Sequence, residues 1–417
     1  MHTIARKLGN SVPERKVLVG RKRPISSPGD PMNKVHRRRD SYYQDYFRAR
    51  KPHFLRLIVF LVETLFKHSE DGQLESPRGR GRRRSYPMGK LVALAVIKQI
   101  IHCSYVFLEI VAPSLVGIAP DDNTIWRAAT NPRLKPIIDE MSRKVAGMVV
   151  SLLPFPLLLL VTDSTGLAIP EKREKTRAMK RILKKAYQKL HITTTLFTNL
   201  ILGCRLTPED RNDSPVYREL MGSLSGFLRE LYHLQKQILG VTVIHERVRG
   251  VLGSAASFIE RLMGFLESSD AQFFLERIRR VGEFIGLSLG DSAYFNLKNL
   301  KSSLKEGLLP VFKPKARPEG EKENWLLARL RRMFSEAEEF YRYRGLVEAV
   351  FGNLWSRNST SLSSRKEENR EVEAAFMCFT HNLLILVQLL EKVCVDSVGE
   401  ILRQQLVATP ISYAALR

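Results

Sequence analysis

Residues 155–163 read FPLLLLVTD and residues 282–291 read GEFIGLSLGD, two apolar runs that each end in an aspartate. Both runs are short and lack a helical period, which is typical of buried strands. A strand that ends in a carboxylate presents it at the edge of a sheet, where the ligands of open α/β sheets bind. We therefore predict an α/β fold whose first and fourth strands deliver Asp163 and Asp291 to the sheet edge.

Two further segments complete the predicted sheet, and a helix follows it. Residues 191–206 predict a β-hairpin, because the runs HITTTLF and LILGCRL flank a tight polar turn. Residues 307–313, GLLPVFK, predict the fifth strand, and residues 323–355 carry the period of one long helix that bears Glu348. Taken singly, an aspartate such as Asp291 after a strand is more often a turn or cap residue. The order of these elements is therefore more informative than any single acid.

Asp163, Asp291 and Glu348 suit metal chemistry if the fold brings them together. Mg²⁺ prefers hard oxygen ligands in near-octahedral geometry. Two such ions, about 3.5–4 Å apart, can clamp a phosphodiester between them. Without a metal, three neighbouring carboxylates repel each other and raise each other's pKa values. The three residues are therefore candidate ligands for two Mg²⁺ ions, with Mn²⁺ as a substitute.

The charge balance of the chain favours a polyanionic partner. The 417 residues include 67 Lys and Arg against 43 Asp and Glu, a formal net charge of +24. Nucleic acids and anionic membranes both fit such a positive field. A membrane-surface protein is the weaker alternative, because the basic runs lack an amphipathic aromatic stripe. No signal peptide or long apolar span is evident, and the four cysteines are scattered, so we expect a cytoplasmic protein without a zinc site.

The sequence divides into four predicted regions. Residues 1–50 hold 13 Lys or Arg and four acids, and they predict a basic flexible arm that contacts phosphates or has no role. Residues 51–150 predict a helical N-terminal domain, either a DNA-end-binding domain or a plain bundle. Residues 151–400 hold the sheet, with a helical insertion at about 222–280 that serves dimerisation, end binding or no function. Residues 401–417 form a C-terminal tail.

Three segments are candidates for DNA contact. Residues 171–189 contain nine Lys or Arg and predict either a DNA-backbone contact beside Asp163 or a solvated basic helix. The loop KPKAR at residues 313–317 is likewise either a DNA-backbone contact or a solvated basic segment. Tyr341, Arg344 and Glu348 share one helix face and suit a phosphate backbone, or they form an exposed Arg–Glu pair beside a half-buried tyrosine. The candidate residues are Lys172, Arg173, Lys175, Lys180, Arg181, Lys184, Lys185, Lys313, Lys315, Arg317, Tyr341 and Arg344.

Five runs of the sequence carry a resemblance to a known family. They are VTDSTGL (161–167), KLHITTTLFTNLILGCRLTPEDRNDSPVYREL (189–220), GDSAYFN (290–296), VFKPKAR (311–317) and YRYRGLVE (341–348). Together they resemble the DDE transposases of bacterial and archaeal insertion sequences. The chain looks closest to the groups with a Tyr-x2-Arg-x3-Glu signature. The resemblance covers roughly residues 155–395, and more loosely the helical segment from about residue 86.

This resemblance implies an RNase H-like fold, a mixed five-stranded sheet flanked by helices. It implies Asp163, Asp291 and Glu348 as the catalytic triad and Mg²⁺ as the ion, with Asp163 bridging two metals. Tyr341 and Arg344 match the signature positions expected to grip DNA. The implied partner is double-stranded DNA, both the transposon terminal repeats and the target. The expected state is a nucleoid-associated homodimer in the synaptic complex, with no membrane contact.

One position departs from the family pattern. The seventh residue after Glu348 is often Lys or Arg in these transposases, and here it is Trp355. A tryptophan can stack on a base, but it brings no positive charge to a phosphate. Two alternatives stay open: an RNase H-like metal-dependent nuclease without strand transfer, and a non-catalytic DNA-binding derivative of a transposase.

Overall fold

The computed structural model describes residues 52–69, 86–153, 158–177, 180–239, 256–316, 323–358 and 361–393. All of these belong to one compact unit. The predicted basic arm at residues 1–50 and the predicted tail at residues 401–417 lie outside the described residues.

Five strands form one mixed sheet in the order β3-β2-β1-β4-β5. Strand β1 is antiparallel to β2, which is antiparallel to β3, whereas β1, β4 and β5 are parallel to one another. This topology confirms the predicted α/β class and the RNase H-like mixed sheet flanked by helices. The strands are β1 Leu158–Arg177, β2 Lys180–Thr195, β3 Ile201–Pro208, β4 Gly286–Gly290 and β5 Leu308–Phe312.

The first strand is longer than its sequence predicts. We expected it to end at Asp163, but β1 continues to Arg177 and pairs with β2 along its length, with a register shift between Ala168 and Lys172. The interpretation of residues 171–189 as a basic helix is therefore wrong, because the backbone forms the outer part of a long hairpin. An antiparallel partner satisfies the backbone groups of β1 after its apolar run has ended.

Among the described residues, six helical segments precede the sheet. Helix α2 ends at His102, whose backbone is left-handed, and Ser104 caps α3 by accepting from the Phe107 amide. Asp121 caps α4 by accepting from the Thr124 amide. The segments are α1 Pro52–Lys67, α2 Met88–Ile101, α3 Tyr105–Val116, α4 Asp122–Ala129, the 3₁₀ turn Pro132–Leu134 and α5 Lys135–Leu152.

The helices between the strands of the parallel half include the predicted insertion. Helices α6 Asp213–Leu239, α7 Ala256–Leu266 and α8 Ser269–Arg279 connect β3 to β4. Helix α9 Leu297–Lys305 connects β4 to β5 and packs against β5 and α6. The helical character expected at residues 222–280 is present in the described part of that segment, and its role stays a prediction.

The helix expected at residues 323–355 is broken. Helix α10 Trp325–Tyr341 gives way to a 3₁₀ turn, Arg342–Gly345, before α11 Leu346–Asn358 begins. The prediction of one continuous helix was therefore wrong. Gly345 is a weak helix former, and the neighbouring Arg344 side chain bonds to Asp163 of β1.

The last helix, α12 Glu367–Val393, belongs to the core. It packs against α5, β3 and α2. Its segment Glu367–Glu391 is long and apolar enough to cross a membrane, but 78% of the most apolar window is buried inside the protein. That burial is what a core helix requires. Cys378 on this helix is buried, as expected of a small apolar residue, whereas Cys103 and Cys204 are half-buried.

Candidate active site

The register of the sheet brings Asp163 and Asp291 to the same edge. The parallel pairing of β1 with β4 ends at Val161 and Leu289. Asp163 and Asp291 each lie two residues beyond that last pair. Because parallel strands run in one direction, equal displacement puts both residues at equivalent positions past the carboxyl end of the pairing.

Local hydrogen bonds fix one oxygen of each carboxylate. Asp163 Oδ1 accepts from the Ser164 amide at 2.9 Å. Asp291 Oδ1 accepts from the Ala293 amide at 2.9 Å and so caps the 3₁₀ turn Ser292–Tyr294. The Oδ2 atom of each aspartate faces the side chain of Arg344.

Arg344 joins the two aspartates. Its Nη2 atom donates to Asp163 Oδ2 at 2.8 Å and lies 4.0 Å from Asp291 Oδ2. The side chains of Arg344, Asp163 and Asp291 are 25%, 15% and 32% exposed, so solvent reaches the site but screens it only partly. The turn at Arg342–Gly345 supplies the cation, and the two parallel strands supply the anions.

Burial raises the pKa of Asp163 above its ordinary value, and the Arg344 guanidinium opposes that rise. The nearby Asp291 carboxylate also raises the pKa of Asp163, by like-charge repulsion. A cation between the two carboxylates therefore stabilises their charged forms. In this structure the cation is a guanidinium, and the oxygen donors are of the kind that a hard divalent ion prefers.

The third predicted acid does not join this group. Glu348 lies in the first turn of α11 with an exposed side chain. Within the described ranges, no three His, Cys, Asp or Glu side chains are grouped closely enough to hold a metal ion. The assignment of Glu348 as a metal ligand stays a prediction, whereas the convergence of Asp163, Asp291 and Arg344 is a property of the fold.

Tyr341 borders the site. It is half-buried, and its ring meets that of Phe334 edge-on with centroids 5.1 Å apart. Burial raises the pKa of Tyr341, while a hydrogen bond and the positive charge of Arg344 lower it. Tyr341 and Arg344 therefore remain neighbours, as predicted, although the helix that carries them is interrupted.

Residues 267–383 match the family model described as the transposase DDE domain. The match supports a transposase function in general and includes Asp291, Arg344 and Glu348, whereas Asp163 lies upstream of it. A comparison with curated proteins finds no match.

Two of the predicted DNA-contact segments are described in part. In the β1–β2 hairpin the structure describes the backbone of the seven predicted contact residues but not their side chains, so these contacts stay predictions. Lys313 and Lys315 are exposed after β5, and the Lys313 amide donates to the Gly290 carbonyl at 3.2 Å. Lys313 is therefore at the same edge as Asp291, whereas Arg317 lies outside the described residues. The hairpin residues are Lys172, Arg173, Lys175, Lys180, Arg181, Lys184 and Lys185.

Trp355 lies seven residues after Glu348, on α11. Its ring is stacked against Phe351 with centroids 6.3 Å apart, and the residue is 40% exposed. The exposed part of the ring leaves a surface on which a base can stack.

The contacts of Asp213 and Ser214, at the start of α6, were not predicted from the sequence. Asp213 accepts from Ser164 Oγ and from Lys189 Nζ, each at 3.0 Å. Ser214 Oγ accepts from Asn296 at 2.9 Å and from Asn299 at 3.2 Å. These bonds tie the segments that follow Asp163 and Asp291 to one helix end. The sequence Asp-Ser-Pro at residues 213–215 is typical of a helix start, but nothing local in it indicates these partners.

Proposed function

We propose that this chain is a DNA transposase that cleaves at transposon ends and joins the freed ends to target DNA. The observation that carries the proposal is the convergence of Asp163 and Asp291 on one cation at the sheet edge of a chain with a transposase DDE domain. Two carboxylates that converge in this way suit a reaction at a phosphodiester, which needs positive charge held at a fixed point.

The donor set of Asp163 and Asp291 fits Mg²⁺, with Mn²⁺ as a substitute. Carboxylate oxygens are the preferred ligands of both ions. Two bound ions would activate the attacking oxygen and stabilise the leaving oxygen. Asp163 and Asp291 would hold them, and Glu348, one helical turn after Arg344, is our proposed third ligand.

In this proposal Arg344 also donates a hydrogen bond to a second acceptor, a DNA phosphate. Its Nε atom is buried and has no hydrogen-bond partner within the described part of the chain. Guanidinium groups bind phosphate oxygens through paired N–H donors. We infer that Arg344 neutralises the aspartates in the metal-free protein and contacts a DNA phosphate when metal takes its place.

Double-stranded DNA is the proposed partner, both as terminal repeat and as target. The net charge of +24 supplies attraction that does not depend on sequence. The β1–β2 hairpin and the loop after β5 extend from the edge that carries the two aspartates. Because transposition joins two ends, we propose a homodimer in the synaptic complex.

The test is a cleavage and joining assay with the purified full-length chain. The substrate is a duplex that carries the DNA flanking the reading frame, with Mg²⁺, Mn²⁺ or EDTA. We expect Asp163→Asn, Asp291→Asn and Glu348→Gln each to slow cleavage at least about a hundredfold, equal to about 2.7 kcal/mol of transition-state stabilisation. Glu336→Gln is the matched control, since Glu336 is an exposed acid on α10.

The products separate the alternatives. Cut ends joined to a second DNA identify a transposase, whereas cleavage without joining identifies a simple nuclease. DNA binding without cleavage in either metal identifies a non-catalytic derivative. Equal cleavage rates for the wild type and the Asp163→Asn variant would refute the assignment of the site.

A further inference from the structure

Two buried tyrosines lie side by side next to the candidate site, and their hydroxyl groups differ in their hydrogen bonding. The rings of Tyr217 and Tyr294 have centroids 5.4 Å apart, and both pack against Phe312. The Tyr217 hydroxyl has two partners, Ser288 Oγ at 2.8 Å and Ser303 Oγ at 2.7 Å. The Tyr294 hydroxyl is buried and has no partner among the residues that the structure describes.

The backbone holds Tyr294 firmly in place. Its amide donates to the Asp291 carbonyl at 3.1 Å, and its carbonyl accepts from Asn299 Nδ2 at 3.1 Å. A Cβ atom at Gly290 would lie 2.8 Å from Cδ2 of the Tyr294 ring. Position 290 therefore has to be glycine for the ring to occupy its place beside the carboxyl end of β4.

Tyr294 lies close to the acids, because it ends the 3₁₀ turn that Asp291 caps and its amide donates to the Asp291 carbonyl. Burial raises the pKa of Tyr294 well above its ordinary value, and the negative charges of Asp213, Asp163 and Asp291 raise it further. These carboxylates act on the phenol from three different segments, which meet only at the sheet edge. A tyrosine hydroxyl is protonated at neutral pH, so this one is a hydrogen-bond donor that has no acceptor among the described residues.

A buried donor without an acceptor is unfavourable and rare in folded proteins, unless a water or a ligand supplies the acceptor. The chain does not need this hydroxyl to fill space, because the ring alone packs against Tyr217 and Phe312. The hydroxyl is therefore free to donate to an oxygen that does not belong to the chain.

We propose that Tyr294 is a positioning residue whose hydroxyl donates a hydrogen bond to the attacking oxygen, a water or a DNA 3′-hydroxyl, as it enters beside Asp163 and Asp291. The inference rests on the proposed function and adds a residue to it. Tyr294 gives up no proton in this role, so it orients the oxygen while another group accepts the oxygen's proton.

The test compares Tyr294→Phe with Tyr217→Phe in the full-length chain. For Tyr294→Phe we expect single-turnover cleavage of the flanking-DNA duplex to slow about 10- to 100-fold, the loss of one good hydrogen bond in the transition state. The dissociation constant for the duplex should not change. The melting temperature of Tyr294→Phe should equal or exceed that of the wild type. Tyr217→Phe should melt lower, because it removes the two buried hydrogen bonds to Ser288 and Ser303, although Ser303 keeps its bond to the Asn299 carbonyl.

Each outcome bears on a different statement. Wild-type cleavage rates in Tyr294→Phe overturn the inference and leave the proposed function intact. A Tyr294→Phe protein that melts as low as Tyr217→Phe overturns it without any activity measurement, because the hydroxyl then has a structural partner. A wild-type protein that cleaves in neither Mg²⁺ nor Mn²⁺ overturns the proposed function, and the inference with it.

Discussion

At the scale of the residue, Arg344 supplies the positive charge that offsets the repulsion between Asp163 and Asp291. Its Nη2 atom is 2.8 Å from Asp163 and 4.0 Å from Asp291. Removing it would leave two neighbouring carboxylates without a counter-charge, and their like charges would repel each other. A divalent ion at the same oxygens would compete with the guanidinium.

We expect Arg344→Gln to bind Mg²⁺ more tightly than the wild type in the absence of DNA. A hydrogen bond between charged groups contributes about 1.5–3 kcal/mol, so the half-saturating Mg²⁺ concentration should fall about tenfold. Thermal unfolding at a series of Mg²⁺ concentrations measures this. Arg342→Gln, an exposed neighbour in the same turn, is the control, and identical midpoints for both variants would contradict the competition.

His191 provides a second residue-level prediction, on pH. It is buried beside β3, with Nε2 2.8 Å from Thr207 Oγ1. Burial lowers its pKa to about 4, although the Asp213 charge opposes this. In the unfolded chain the His191 side chain binds a proton near pH 6.5, whereas in the folded chain it does so only near pH 4. Acidification through that window therefore favours unfolding.

The free energy of unfolding should fall by on the order of 3 kcal/mol between pH 6.5 and about pH 4 because of His191 alone. Chemical denaturation at several pH values measures the slope. His191→Gln keeps a group that can bond Thr207 but cannot titrate, so its slope should be shallower by that amount. A variant with the wild-type slope would show that His191 is not the titrating group.

At the scale of the element, the pairing of β1 with β4 positions the site. Gly286 faces Leu158 in this pairing, and a Cβ atom there would lie 1.8 Å from the Leu158 carbonyl oxygen. No side chain can be accommodated without separating the two strands. Because Asp163 and Asp291 follow these strands, any separation also moves the two carboxylates apart.

We expect Gly286→Ala to lower the free energy of unfolding by more than about 3 kcal/mol, the upper part of the range for overpacked cores. The backbone contact cannot relax by a side-chain rotation. Gly226→Ala is the control, because nothing lies within 4 Å of that position in α6, and alanine there should stabilise the helix by about 0.5–1 kcal/mol. Urea unfolding compares the two, and equal stability would contradict the close approach.

At the scale of the whole molecule, the positive charge should govern DNA affinity. The hairpin formed by β1 and β2 carries the basic run at residues 171–189, next to the edge with Asp163. Removing one lysine that binds a phosphate should reduce the slope of log affinity against log salt by about 1. Lys184→Gln and Lys185→Gln together should therefore reduce the slope by about 2.

Lys305→Gln is the control for this measurement. Lys305 is exposed and precedes β5, at the opposite end of the parallel strands from Asp291. Fluorescence anisotropy with a labelled duplex at several salt concentrations gives the slopes. An equal change for Lys305→Gln and the hairpin variant would show that general charge, and not the hairpin, is responsible.

The sequence by itself determined the fold class, the approximate positions of the five strands and the placement of Asp163 and Asp291 after β-strand runs. Each rests on a local pattern: a short apolar run, a polar turn, or a carboxylate at the end of a run. The family resemblance depended on the same segments, and the match at residues 267–383 agrees with it. Local pattern is enough here because a strand that is buried on both faces has a nearly continuous apolar sequence.

Only the tertiary structure decided what the aspartates contact. The extension of β1 past Asp163 depends on its pairing with β2, and the break at Arg342–Gly345 lies where Arg344 reaches across to Asp163. The bonds of Asp213 likewise join segments far apart in the chain, and so does the packing of Tyr294, whose hydroxyl has no partner among the described residues. Pairwise contacts between remote residues leave no periodic signal in one sequence, because each partner satisfies its local pattern without the other.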